Sequence, residues 1–273
     1  MVNALLLENI TKNYGQAPIL GQISLSLPSN TFLTLLGSSG CGKSTLLRIM
    51  AGLEMPTTGY ITRSGETKNS TSGYVFQSPT LLPWRTVYEN VSLPFILQGL
   101  KRKTYQTRVQ DILALTRLIG HEHKFPRELS GGMQMRVSIA RALAPEPEVL
   151  YLDEPFGALD EITRNELNNI LKNIVDRLGL TVVFVTHSIM EAVFLSDQIV
   201  ILGDRPSRII QLVNIDLDRT NSKNVRGDPE FYKHVLNISE KFANNANGRC
   251  YNNHYDECET DNFAIPFIQV NNL

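Results

Sequence analysis

Residues 31–47 read TFLTLLGSSGCGKSTLL. An apolar, β-rich run ends at Gly37, a glycine-rich loop leads to Lys43 and Ser44, and a helical pattern begins at once. The predicted order is strand, phosphate loop, helix. Gly37, Gly40 and Gly42 let the backbone turn tightly and bring its N–H groups close to phosphate oxygens, where a helix N-terminus adds a favourable dipole. Lys43 would reach the β and γ phosphates, and the Ser44 hydroxyl would sit on Mg²⁺. A nucleoside triphosphate site is expected here.

Composition sets the limits around that loop. At 273 residues the chain is one elaborated domain or two small ones, and 42% apolar residues suffice for a core. A formal charge of −1 gives no global reason to expect nucleic acid or an acidic membrane as partner. No apolar run is long enough to cross a bilayer, and the start, MVNALLLENITKNYG, lacks a basic segment followed by a long apolar core. A soluble, unexported protein is expected. Three cysteines, one of them Cys41 in the loop, make no disulfide framework and suit a reducing compartment.

In chain order, Ala4 to Ile10 and Ile23 to Leu27 read as an antiparallel hairpin with Tyr14 in its connection. Tyr14 could stack on adenine, though an ordinary turn tyrosine would look the same. Gly52 to Tyr74 reads as hairpins and loops, and Gln77 follows an apolar strand at the edge of the nucleotide site. Leu81, Leu82, Pro83 and Trp84 carry no period of their own. Lys101 to Gly120 is helical, with Val109, Ile112, Leu113 and Ile119 on one side and a basic start read as a solvated helix entry. His121 and His123 read as surface histidines.

LSGGMQ, residues 129–134, opens a further helix that Ser130 can cap. The glycine pair is unnecessary for capping and suggests an approaching anion. VLYLDE, residues 149–154, is an apolar strand ending in paired carboxylates, costly unless metal or hydrogen bonds satisfy them. Beside a phosphate loop, Asp153 would hold Mg²⁺ through its water shell and Glu154 would polarise the attacking water. GALD, residues 157–160, leads into a helix with Leu167, Ile170, Leu171, Ile174, Val175 and Leu178 on its apolar side. TVVFVT, residues 181–186, is another buried strand, and His187 at its C-terminal end is placed for a γ-phosphate contact. Gln198 to Leu202 and Arg208 to Ile215 complete an α/β core.

Taken in order, Tyr14, Gly37 to Ser44, Gln77, Leu129 to Gln134, Val149 to Glu154, Gly157 to Asp160 and His187 resemble the adenine-stacking loop, Walker A, Q-loop, signature, Walker B, D-loop and switch histidine of an ABC-type ATPase. The resemblance spans about residues 4–240, and LSGGMQ is its most specific part. It implies an α/β fold with a RecA-like mixed sheet core, an antiparallel β subdomain and a helical signature subdomain at about 88–143, within an ATPase domain of residues 1–243. ATP would be bound by Tyr14, Gly37, Ser38, Ser39, Gly40, Cys41, Gly42, Lys43, Ser44 and Thr45. Mg²⁺ would be held at Ser44, Gln77 and Asp153, and catalysis would fall to Glu154, His187, Lys43 and Gln77. The family pairs as a head-to-tail dimer, so Ser130, Gly131, Gly132, Met133 and Gln134 would act in trans and Asp160 would be a dimer contact.

LLPWRTVYENVSLPF, GALDEITR and ILGDRPSRII with RGDPEF look like the ATPase subunits of nitrate, sulfonate and taurine importers. That resemblance implies a homodimer peripheral on the cytoplasmic face of the cell membrane, docked on integral membrane permease subunits and served by a separate solute-binding protein. Leu81 to Trp84 would help line the docking groove, with burial inside the chain as an equal alternative. The rival is a soluble ABC ATPase of DNA repair or translation, which usually carries a long coiled coil or tandem ATPase domains; one set of motifs occurs here. A C-terminal helix is expected at about 229–242. Residues 244–273 are Asn-rich, with four acids and no Lys or Arg beyond Arg249, and read as a flexible acidic tail. Cys250, His254 and Cys258 within it recur every four residues and could hold Zn²⁺.

Overall fold

A computed structural model describes residues 3–63, 71–217 and 225–247. Strands β1 (Asn3–Tyr14) and β2 (Ala17–Pro28) pair antiparallel, with Leu5 opposite Leu27, Leu7 opposite Leu25 and Ile10 opposite Ile23. The register shifts between Leu7 and Ile10, and Asn9 there takes a φ of 53°. That bulge inserts one residue, so Ile10 and not the polar Asn9 continues the buried row. Strand β3 (Phe32–Leu36) is buried throughout and runs into the phosphate loop and α1 (Lys43–Met50). Next come β4 (Thr58–Arg63), β5 (Ser72–Val75), α2 (Val87–Leu97), α3 (Arg102–Leu115) and α4 (Gly131–Leu143). The chain continues through β6 (Val149–Asp153), α5 (Glu161–Leu178), β7 (Thr181–Thr186), α6 (Ile189–Leu195), β8 (Gln198–Leu202), β9 (Ile209–Asn214) and α7 (Pro229–Asn247).

Two sheets form, one of order β2-β1-β4 and one of order β5-β6-β7-β3-β8-β9. In the second sheet only β9 runs antiparallel to its neighbour. Its central strands β3, β6 and β7 are covered on both faces, which explains their unbroken apolar runs. Leu33 and Leu35 of β3 pack with Leu46 and Leu47 of α1 and with Leu5 and Leu7 of the smaller sheet. On the opposite face Phe32 and Leu36 join Leu152, Phe184, Leu171 of α5 and Phe231 of α7. A third cluster, including Val91, Val109, Ile112, Leu113 and Val137, lies among α2, α3 and α4. Each fully buried leucine contributes about 1.5–3 kcal/mol by leaving water, so the α2–α4 region has a core of its own. The α/β class, the antiparallel β part and the mixed sheet are as expected.

Four expectations need correction. Among the described residues of 52–74, β4 and β5 do not pair with each other: β4 joins β1 in the smaller sheet, while β5 joins β6 in the larger. Ile119 is exposed and Leu118 is buried in its place, because Arg117, at φ 55°, ends the helical period and the Leu118 N–H turns back to the carbonyl of Leu113 at 2.7 Å. His121 is half-buried, with Nδ1 enclosed; His123 is exposed. Helix α7 runs to Asn247, past the expected end. Cys250, His254 and Cys258 lie outside the described residues.

Candidate functional site

The site sits where β3, β6 and β7 end, the edge at which ligands of parallel sheets collect. Gly37 is required by contact: a Cβ there would lie 2.7 Å from Sγ of Cys41. Gly42 is required by conformation, with φ at 113°. Helix α1 then starts with no side chain capping it and no acid in its first turn. Its first N–H groups and the positive end of its dipole are therefore offered to an anion.

Lys43 is 4% exposed. Its Nζ donates to the carbonyls of Gly37 and Ser38, each at 3.0 Å, and lies 3.4 Å from Oε1 of Glu154. These contacts offset the desolvation of the ammonium while it waits beside the loop. Ser38 donates through Oγ to Asp204 at 3.0 Å, and the Ser207 hydroxyl donates to the carbonyl of Cys41, so the loop after β8 braces the phosphate loop.

Strand β6 delivers the two carboxylates. Asp153, 6% exposed, accepts from Ser44 Oγ at 2.6 Å and from the Tyr74 hydroxyl at 3.2 Å. Burial, and then the Asp153 charge, push the Tyr74 phenol well above its ordinary value, so it remains a donor to that carboxylate. Glu154 takes a φ of 45°, while its N–H still reaches the carbonyl of Val185 at 3.1 Å. This turn aims its side chain between two basic groups: Oε1 faces Lys43, and Oε2 lies 3.2 Å from Nδ1 of His187. A carboxylate so placed can accept a proton from a water at the loop.

The donor set at Asp153 and Ser44 fits Mg²⁺. Both supply hard oxygens, and among the described residues no three His, Cys, Asp or Glu gather as a full protein cage. Two protein oxygens suit an ion that keeps waters and phosphate oxygens in its shell.

Other predicted residues stand apart from this cluster. Tyr14 is half-exposed at the end of β1, its hydroxyl bonded to the Glu54 carboxylate, with Lys12 Nζ 2.9 Å from Glu54 and 5.0 Å from the centre of the tyrosine ring. The bond to Glu54 chiefly raises the phenol's pKa, with partial burial adding to it. Gln77 is exposed, two residues beyond β5. Thr45, next to Ser44 in the first turn of α1, is half-buried.

The signature segment belongs to the start of α4. Ser130 accepts from the N–H of Met133 at 3.3 Å as the N-cap. Gln134 donates to the carbonyls of Pro126 and Leu129, at 3.0 and 3.3 Å, holding the preceding turn. Gly131 is exposed, but Gly132 is buried, and a Cβ there would meet Cγ2 of Thr163 at 2.6 Å. Close packing on α5 thus explains Gly132 without an anion; Gly131 is left open. Asp160 caps α5, accepting from the Thr163 N–H at 2.9 Å, a bond that holds its carboxyl below the ordinary range.

Lys43, Ser44, Asp153, Glu154 and His187 are therefore brought together, while the signature and Tyr14 are not part of that cluster. Tyr74, Glu54 and Asp204 were missed. None of the three carries a local signal, since each acts through a contact with a distant segment.

Known proteins resemble the chain over most of its length. The family described as ABC transporter matches residues 20–157. An aliphatic sulfonates import ATP-binding protein of Bacillus cereus is 44% identical over 229 residues, covering 83% of this chain and 90% of that protein. A taurine import ATP-binding protein of Rhizobium johnstonii is 41% identical over 220 residues, 78% of this chain and 84% of that one. Among solved structures, the dimeric structure of a bacterial ABC transporter cassette aligns with a TM-score of 0.68 at 31% identity, over 78% of this chain and 99% of that one. With a phosphate loop, paired carboxylates and histidine in one cluster, and these likenesses along the chain, the protein belongs to the ABC transporter family as one of its ATP-binding cassettes.

Proposed function

We propose that this chain is the ATP-hydrolysing subunit that powers import of a small anion of the nitrate, sulfonate or taurine type through a separate membrane permease. The observation that carries the reading is the placement of Glu154 between Lys43 and His187 beside an uncapped helix start. Residues 37–45 hold the phosphates of ATP and Tyr14 stacks on the adenine. Glu154 takes the proton of a water attacking the γ-phosphate in line, and Lys43 and His187 stabilise the charge that develops. Ser44 and Asp153 would hold Mg²⁺, with Gln77 completing the set once nucleotide is bound, and the ion would supply charge neutralisation at the phosphate oxygens.

Residues 1–243 act as one ATPase domain with a helical subdomain at about 88–143, and 244–273 as an appended tail. Two copies pair head to tail, so that Ser130, Gly131, Gly132, Met133 and Gln134 of one face the phosphate loop of the other, with Asp160 at the contact. The open Gly131 and the dimeric cassette structure support this pairing. Trp84, 71% exposed beside half-buried Leu81 and Leu82, offers apolar surface for the permease. No helix among the described residues is long and apolar enough to cross a membrane, which suits a peripheral subunit carried to the membrane's cytoplasmic face by its permease. A separate protein would deliver the solute. The import names of the relatives favour this reading over DNA repair or translation.

Turnover and size in ATP and Mg²⁺ test it. Glu154→Gln should lose about 10²- to 10⁴-fold in turnover while keeping ATP, and should accumulate as an ATP-bound dimer. A variant that turns over like its parent, or stays monomeric with ATP bound, overturns the composite-site mechanism.

A further inference from the structure

Two turns meet at the hydrolytic groups, residues 154–160 after β6 and residues 187–188 after β7. Their direct link is the 3.2 Å contact between His187 and Glu154, and the His187 side chain is 51% exposed. A half-exposed pair of this kind contributes little by itself to holding the ring.

A second, buried route joins the same turns. Thr186 Oγ1 donates to Oε2 of Glu191 at 2.5 Å and accepts from the N–H of Ser188 at 3.0 Å, gripping the backbone on both sides of His187. Glu191, in the first turn of α6, is 6% exposed. Its other oxygen, Oε1, is enclosed without a hydrogen bond and stands 4.0 Å from Nε of Arg164. Arg164, on α5, donates from Nε to the carbonyl of Phe156 at 3.3 Å and from Nη2 to that of Leu159 at 2.7 Å. Arg226, lying 4.1 Å over the ring of Phe194, adds a second cation whose charge is felt at Glu191. Within the 154–160 turn the Gly157 N–H donates to the carbonyl of Glu154 at 3.2 Å, which ties the 156–159 segment held by Arg164 back to Glu154.

A carboxylate oxygen enclosed without a hydrogen bond is costly unless neighbouring cations offset it. The start of α6 favours an acid in its first turn, and Arg164 and Arg226 add cations beside this one, so the carboxylate can stay charged while enclosed. We propose that Glu191 is a positioning residue for hydrolysis: through Thr186 on one side and Arg164 on the other, it closes a ring of contacts that holds His187 against Glu154. The inference rests on Glu154 and His187 being the hydrolytic pair. One guanidinium serves both the 156–159 turn and Glu191, so movement of that turn is transmitted to the backbone of His187.

The test uses the full chain with ¹⁵N-labelled histidine, as parent, Glu191→Gln and Thr186→Val. Thr186→Val keeps volume and strand preference, so it reports even if the other variant folds poorly. Both should move the His187 imidazole signals toward those of a free, tautomer-averaging ring. Turnover well below Tm should fall about 10- to 100-fold in both, with KM for ATP held; Tm should hold in Glu191→Gln, whereas Thr186→Val, which leaves the buried carboxylate without its hydrogen bond, should lower it. Unmoved His187 signals in both variants overturn the proposal, as does loss of turnover only in step with a falling Tm. Moved signals with unchanged turnover overturn it too. A parent without any turnover sinks the ATPase reading instead, while the imidazole signals still decide whether the ring of contacts exists.

Discussion

The starts of α1 and α4 are both glycine-rich helix openings, yet they are built in opposite ways. Before α1, Gly42 at φ 113° takes a conformation that leaves the first turn without a side-chain cap. Before α4, Ser130 in extended backbone supplies the cap itself, and Gln134 ties down the turn leading in. Glycine also serves different ends, backbone freedom at 42 and close packing against Thr163 at 132. A helix start that leaves its donors uncapped depends on a ligand to complete it; one that satisfies part of its own demand presents a finished surface. The first is organised to hold a phosphate chain; in the proposed head-to-tail pair the second would be brought up against one.

Lys43→Met should have the largest effect on this contrast. It removes a charge-assisted donor from the α1 start, and ATP affinity should drop on the order of 100-fold by equilibrium titration. Measured on dilute, unpaired chains, Ser130→Ala should leave that affinity unchanged. Equal losses in the two variants would erase the distinction. Next comes Gly132→Ala, whose Cβ would fall 2.6 Å from Cγ2 of Thr163. Overpacking of about 1–3 kcal/mol outweighs the gain of up to about 1 kcal/mol from alanine in a helix, so the urea midpoint should fall. Adding Thr163→Ser, which deletes the opposing methyl, should restore it; no rescue would mean that Gly132 is not there for packing.

How much of this was readable from residues alone depends on whether the chemistry is local. Gly37 to Ser44 and the pair Asp153–Glu154 each lie on a single strand end, so spacing and apolar pattern placed them, and His187 followed from the same edge. Tyr74 was not readable as a site residue, because its bond to Asp153 depends on β5 lying beside β6, and nothing within 72–75 states which sheet it will join. The same ambiguity led residues 52–74 to be read as hairpins, since short polar strands look alike in either sheet. Ser38–Asp204 and Tyr14–Glu54 are likewise contacts between distant segments, with no pattern to announce them. At 119 the helical period was carried past Arg117, whose positive φ ends it.

Ser130→Ala should cost about 1 kcal/mol in stability, the usual value of an N-cap, and so less than the overpacking at Gly132. The smallest effect separates α4 from a more completely capped start, that of α2. There Thr86 accepts from the N–H of Glu89 at 3.3 Å, and Glu89 accepts from the N–H of Thr86 at 2.8 Å. The backbone bond from Thr86 is the main reason that the Glu89 carboxyl sits below its ordinary value of 4.5, against a weaker opposing push from burial. A carboxyl lowered on folding stabilises the native state fully above its unfolded value, and that contribution is lost as pH falls through the folded one. Glu89→Gln keeps an acceptor but never carries the charge. The parent should therefore exceed the variant in urea midpoint at neutral pH, and the gap should close as the buffer is taken below about pH 4. Helix α4, capped by a hydroxyl with no acid in its first turn, has no such group to titrate, so the Ser130→Ala difference should hold across the same range. A gap at Glu89 that persisted into acid would mean that charge plays no part in the α2 cap, and that the two capped starts differ only in their number of bonds.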